Sequence, residues 1–158
     1  MSDDASQVLV NYHQIRTLID CLLSQAASKY PQPDLVLCPL NGARYIGLTL
    51  EVHNQYKFNI GYPKIHTYDR HKQSGGVKFV VSPKLATSIK NSHYIWIWDD
   101  IYDTGFTMSL LSALIPVINT QAHVYKIALY GRKLVDDVLI GEITDKWVVF
   151  PWEQLQPS

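Results

Sequence analysis

The run Tyr94-Ile95-Trp96-Ile97-Trp98 passes without a spacer into Asp99-Asp100-Ile101-Tyr102-Asp103, and then into Thr104-Gly105-Phe106-Thr107. Aromatic and β-branched residues in unbroken succession predict a strand buried on both faces, because a strand with one wet face alternates polar and apolar residues. The segment that follows, Met108–Val117, has helical periodicity up to Pro116. A buried strand that enters a helix through a glycine turn is half of a strand–helix–strand unit. Such units build parallel sheets covered on both faces.

The remainder of the chain supplies the partners such a sheet needs. From Tyr12 to Ala27, Ile15, Leu18, Ile19, Leu22, Leu23 and Ala26 recur at helical spacing, and Tyr30-Pro31-Gln32-Pro33 ends the helix. Asp34–Leu40 is a second continuous apolar run, followed by Gly42 and a helical segment over Ala43–Val52. Further strands are predicted at Phe58–Ile60, Lys64–Tyr68, Val77–Val81, Val124–Tyr130 and Trp147–Phe150. The expected fold is α/β, a mostly parallel central sheet with helices on both faces. Its 158 residues suit one domain spanning 1–158, with residues 1–6 frayed.

Fourteen basic residues balance fourteen acidic ones, so a binder that works by neutralising many nucleic-acid phosphates is not expected. No apolar run approaches bilayer length, and Met1–Gln7 is acidic and unlike a secretory leader. Cys21 and Cys38 form neither a disulfide framework nor a metal cluster, and are expected as buried free thiols in a reducing cytoplasm.

The chemistry concentrates at the end of the predicted His93–Trp98 strand. Ligands of open α/β sheets bind outside the carboxyl ends of the strands. Backbone N–H groups over Thr104–Thr107 and the two threonine hydroxyls make a cradle for a phosphate at a helix N-terminus. The adjacent carboxylates Asp99 and Asp100 repel a bare phosphate, but they accept hydrogen bonds from hydroxyls. A sugar phosphate with a vicinal diol, accompanied by Mg²⁺, satisfies both halves. The bland alternative is an acidic turn that caps a helix. A Walker loop is excluded, since no Gly-Lys-Ser or Gly-Lys-Thr is present.

These residues resemble the phosphoribosyl-diphosphate signature of the type I phosphoribosyltransferases, and the likeness runs from about Pro33 to Glu153. The tail, Leu134-Val135-Asp136-Asp137 followed by Lys146-Trp147-Val148-Val149-Phe150-Pro151-Trp152-Glu153, is similar to that of the xanthine-guanine and hypoxanthine enzymes. The resemblance implies a small hood built from the terminal segments, and a cytoplasmic homo-oligomer, dimer or tetramer, in purine salvage. It implies that 5-phosphoribosyl diphosphate and a 6-oxopurine base react with Mg²⁺ to give a nucleoside monophosphate and pyrophosphate.

By position, Asp99 and Asp100 would hold the ribose hydroxyls and help place the metal, with Glu153 nearby. Thr104, Gly105, Phe106 and Thr107 would bind the 5′-phosphate, and Asp103 would be the general base. Asn41, Gly42, Ala43 and Arg44 fall where the family binds pyrophosphate, though Asn41 replaces its usual basic residue and Ala43 its second glycine. Residues 69–76 match a flexible lid, with Arg70, His71 and Lys72 closing over the diphosphate. Ile101, Trp147 and Val148 would contact the base, Trp147 by stacking. The lysine that reads the 6-oxo group is replaced, with Arg132 in its place and Lys133 beside it. The alternatives are a binding protein that senses the sugar diphosphate or nucleotide without turnover, and an aspartyl phosphotransferase. The latter needs Asp-x-Asp after the strand, which Asp99-Asp100-Ile101 does not supply.

Overall fold

A computed structural model describes residues 6–40, 42–53, 56–67 and 76–154. Its centre is β6 (Tyr94–Tyr102), in a five-stranded sheet with β2 (Leu35–Leu37), β3 (Ile60–Gly61), β7 (His123–Gly131) and β8 (Val138–Ile143). The spatial order is β3-β2-β6-β7-β8, and every neighbouring pair is parallel. Alternation along β6 explains its unbroken apolar sequence. Ile95 and Ile97 pack with Leu85 and Ile89 of α3 (Pro83–Lys90) and Met108, Leu111 and Ile115 of α4 (Phe106–Ile118). Trp96 and Trp98 point to the other face, among Ile15, Ile19, Leu22 and Leu23 of α1 (Tyr12–Lys29) and Ile46 and Leu50 of α2 (Arg44–Glu51). Both faces are dry over Ile95–Trp98, so each of these four residues meets a core.

Two smaller sheets sit beside this body. β1 (Gln7–Leu9) and β9 (Trp147–Val149) pair in parallel, Gln7 opposite Trp147, and bring together segments far apart in sequence. β4 (Lys64–Thr67) and β5 (Val77–Val80) form an antiparallel ribbon. The expected lid lies between them, and all of it except Gly76 falls outside the described residues, including Arg70, His71 and Lys72.

Several elements differ from the sequence expectation. The strand predicted to end before the acidic pair continues to Tyr102, because the ladder to β7 runs on through Asp99 opposite Ala128 and Ile101 opposite Tyr130. α4 passes through Pro116 to Ile118, giving up one hydrogen bond while Ile115 stays buried and the Asn119 N–H closes the end on the Ile115 carbonyl. α3 and β8 were not anticipated. α3 starts on Ser82, whose Oγ accepts from the Leu85 N–H at 3.1 Å, with Pro83 in the first turn. Asn119 ties its far end by donating to the carbonyls of Ile89, Lys90 and Ser92. Cys38 is buried as expected, but Cys21 is exposed, because it lies off the α1 stripe that faces the sheet. Among the described residues no helix is long and apolar enough to cross a membrane.

Candidate active site

At the carboxyl end of β6 a cleft of about 400 Å³ opens between the acidic strand end, the turn into α4, Leu40 and Gly42 after β2, and Ile65 of β4. Asp99 is 8% exposed, and burial pushes its carboxyl well above the usual range, with the charge of Asp100 adding to the shift. Asp100 is also raised, by burial and by the charge of Glu153, against hydrogen bonds that favour its ionised form. The Asp100 N–H donates to Asp99 Oδ1 at 2.9 Å and the Ile101 N–H to Asp100 Oδ1 at 2.7 Å. Two buried acids side by side are electrostatically incomplete on their own. Hydroxyl donors or a cation would relieve them.

Beyond the pair, the chain turns through Thr104 and Gly105. Gly105 has φ +76, the left-handed region, and is the N-cap of α4. The Phe106 N–H donates to Thr104 Oγ1 at 3.3 Å, which folds the turn around the helix N-terminus. A side chain at Gly105 would run into the Tyr102 ring. Gly105→Ala is therefore expected to cost at least about 1–2 kcal/mol from backbone handedness alone. Thermal denaturation should show a Tm lower by roughly 2–8 °C, and a melt unchanged within a degree would contradict the conformation of this turn.

Opposite this cradle, a Cβ on Gly42 would lie 2.8 Å from Asp100 Cγ, so the turn after β2 presses its bare backbone against the acidic pair. Only glycine permits that approach. Asp103 stands at the open side, 61% exposed, with Arg132 Nε 3.5 Å from its Oδ1.

The purine phosphoribosyltransferase of Pyrococcus horikoshii has a solved structure that matches with a TM-score of 0.76, covering 97% of this chain and 97% of that one at 19% identity. The fold is that of the type I phosphoribosyltransferases. The xanthine-guanine-hypoxanthine phosphoribosyltransferase of Helicobacter pylori matches with a TM-score of 0.76 at 17% identity, over 93% of this chain and 94% of that one. In sequence, the chain is similar to the xanthine-guanine phosphoribosyltransferase of Cereibacter sphaeroides, 32% identical over 76 residues. That match spans 47% of this chain and 43% of the relative, less than half its length. No protein-family model matches the chain.

Within this phosphoribosyltransferase fold, Asp99, Asp100, Ile101, Asp103, Thr104, Gly105, Phe106, Thr107 and Gly42 all line the one cleft. Other expected residues stand differently. Ala43 is fully buried and its N–H donates to the Pro39 carbonyl at 3.1 Å, so neither its side chain nor its N–H faces a ligand, contrary to expectation. Arg44 is exposed on the first turn of α2. Asn41 lies outside the described residues. Glu153 is near enough to Asp100 to act on its charge, yet its Oε2 accepts from the Phe150 N–H at 3.0 Å. Among the described residues no three acidic, histidine or cysteine side chains converge on one point.

Trp147 is 59% exposed on β9, whereas Val148 turns its side chain into the core and offers the outside only its backbone. Trp152 does pack, stacked on Phe150 and Tyr45. Arg132 has partners other than the oxo group expected for it. Besides Asp103, its Nη1 donates to the carbonyls of Thr144, at 3.3 Å, and Lys146. Lys133 is exposed. Tyr102 was missed as a cleft residue, although it lies inside the motif between the acidic pair and Asp103. Ile65 was missed too, and only the ribbon that carries it over the cleft reveals it.

Proposed function

We propose that the chain transfers the phosphoribosyl group of 5-phosphoribosyl diphosphate to a 6-oxopurine, releasing pyrophosphate. One observation carries this reading. The buried acidic pair, Asp103, the left-handed turn at Gly105 and the bare backbone of Gly42 all face one cleft at the carboxyl end of the central strand. The ribose diol donates to Asp99 and Asp100, which burial has left short of donors. The 5′-phosphate sits on the N–H groups and hydroxyls of the Thr104–Thr107 turn, where the α4 dipole favours an anion. The backbone beside Gly42 bounds the leaving diphosphate.

The donor chemistry suits Mg²⁺, since two hard carboxylates line the cleft and a diol ligand could supply further oxygens. Asp99 and Asp100 would hold it, with Glu153 acting through its charge. The ion would supply charge neutralisation for the diphosphate as it leaves. Breaking a bond at an anomeric carbon builds oxocarbenium character on the ribose, and the two carboxylates stabilise that charge. Asp103 takes the proton that the attacking purine nitrogen must lose.

Trp147 offers an exposed indole for stacking on the base, with the Val148 backbone beside it to read the ring edge. Because the indole is not core, Trp147→Ala is expected to leave the melt within a degree or two of wild type. Calorimetry should show base affinity weakened by about 1–3 kcal/mol, the range for nucleobase stacking on aromatics, while sugar-diphosphate affinity holds. Equal loss of both ligands would remove Trp147 from the base site. The function itself is tested by supplying each purine in turn with the sugar diphosphate and Mg²⁺ and following pyrophosphate.

A further inference from the structure

We infer that Arg132 is a positioning residue that locks Asp103 and the Trp147-bearing loop into one rigid unit, an inference that rests on the function proposed above. Three segments meet at this guanidinium. Its Nε faces Asp103 Oδ1 at 3.5 Å, just past the end of β6. Its Nη1 donates to the carbonyls of Thr144 and Lys146, in the loop that leads directly into Trp147. The backbone of Arg132 is fixed as well, its N–H donating to the Tyr102 carbonyl at 3.4 Å, one residue before Asp103. The loop is braced on its own side by Thr144, whose N–H donates to the Gly131 carbonyl at 3.0 Å and whose Oγ1 accepts from the Lys146 N–H at 3.1 Å.

The arrangement suits arginine and not lysine. A planar fork can hold a carboxylate on one edge and two carbonyls from another, whereas an ammonium presents a single point of charge. Arg132 is 26% exposed at its side chain, so these bonds are partly shielded from water, while Asp103 remains 61% exposed and open to a substrate. Arg132 thus acts through Asp103 and through the loop. The proton acceptor and the stacking surface lie on segments far apart in sequence, and this one side chain sets their separation. A small displacement of a reacting group is enough to cost about 100-fold in rate, so such a lock is felt at the chemical step.

The test is a double-mutant cycle with Arg132→Met and Asp103→Asn, run alongside hydrogen exchange. In wild type, Arg132→Met is expected to lower kcat by about tenfold or more and to raise KM for the purine, with KM for the sugar diphosphate unchanged. In the Asp103→Asn background the same substitution should change kcat by less than about twofold, because the group it positions no longer takes the proton. Amides of Thr144, Lys146 and Trp147 should exchange at least about tenfold faster in Arg132→Met, since the loop then opens locally. Equal losses of kcat in both backgrounds, or exchange unchanged from wild type, would overturn the inference. Arg132→Lys gives the same comparison if the methionine variant does not fold. It keeps the charge beside Asp103, so it should retain more kcat than Arg132→Met while still losing loop protection, and wild-type behaviour in both respects would contradict the fork. A wild-type protein without turnover would instead sink the proposed function and the catalytic half of this inference with it, and the exchange measurement would still decide whether Arg132 holds the loop.

Discussion

Asp103→Asn is expected to lower kcat by about 10²–10⁴-fold, the usual cost of removing a general base. The substitution keeps size and shape, so the contact with Arg132 weakens but the backbone that carries it does not move. Asparagine cannot accept the purine proton as a carboxylate does. Asp103 precedes the phosphate turn, and its side chain is exposed beside Arg132 and makes none of the turn's hydrogen bonds. Affinity for the sugar diphosphate, measured by calorimetry with Mg²⁺, is therefore expected to stay near wild type. Raising the pH should recover part of the loss, because the free purine then arrives increasingly as its anion and needs no acceptor. A variant as fast as wild type at neutral pH would remove Asp103 as the base while leaving the rest of the site standing.

The second large effect concerns the acidic pair, and its sign differs for binding and for stability. A hydrogen bond to a charged group is worth about 1.5–3 kcal/mol, roughly twice a neutral one. If the pair holds the ribose diol and Mg²⁺ as proposed, replacing both Asp99 and Asp100 by asparagine would halve each such bond and remove the negative charge beside the ion. Affinity for the sugar diphosphate in Mg²⁺ is expected to fall by about 100-fold or more. Without ligand the reverse holds. Both carboxyls are raised by burial, each beside another acid, so in the free protein their ionised forms are disfavoured relative to a neutral amide of the same shape. The double variant alone is expected to melt higher, by roughly 2–4 °C for each kcal/mol relieved. Unchanged affinity would misplace the sugar, and a lower melt would mean the pair supports the fold.

The central layer of this fold was legible because its physics is local. Ile95, Trp96, Ile97 and Trp98 admit no wet face, and the turn at Thr104–Thr107 follows within the same short stretch. α3 was not legible, because its buried face amounts to Leu85 and Ile89, too little to stand out as a stripe. Only the Ser82-Pro83 start marked it, and that pair reads equally as a turn. Roles set by distant partners were out of reach in the same way. Whether the Ala43 N–H meets a ligand is decided by the Pro39 carbonyl, and whether Arg132 meets a base is decided by Asp103, Thr144 and Lys146. Residue type and spacing name the groups available for chemistry, and tertiary contacts decide which are already taken.

The most direct measurement of the central claim follows pyrophosphate release from 5-phosphoribosyl diphosphate in Mg²⁺, with hypoxanthine, guanine, xanthine or adenine supplied in turn, and identifies the nucleotide formed by chromatography. The expected result is release that depends on the base, matched mole for mole by a nucleoside monophosphate, with a 6-oxopurine preferred over adenine. Binding of sugar diphosphate and base by calorimetry, with no pyrophosphate and no nucleotide from any of them, would contradict it.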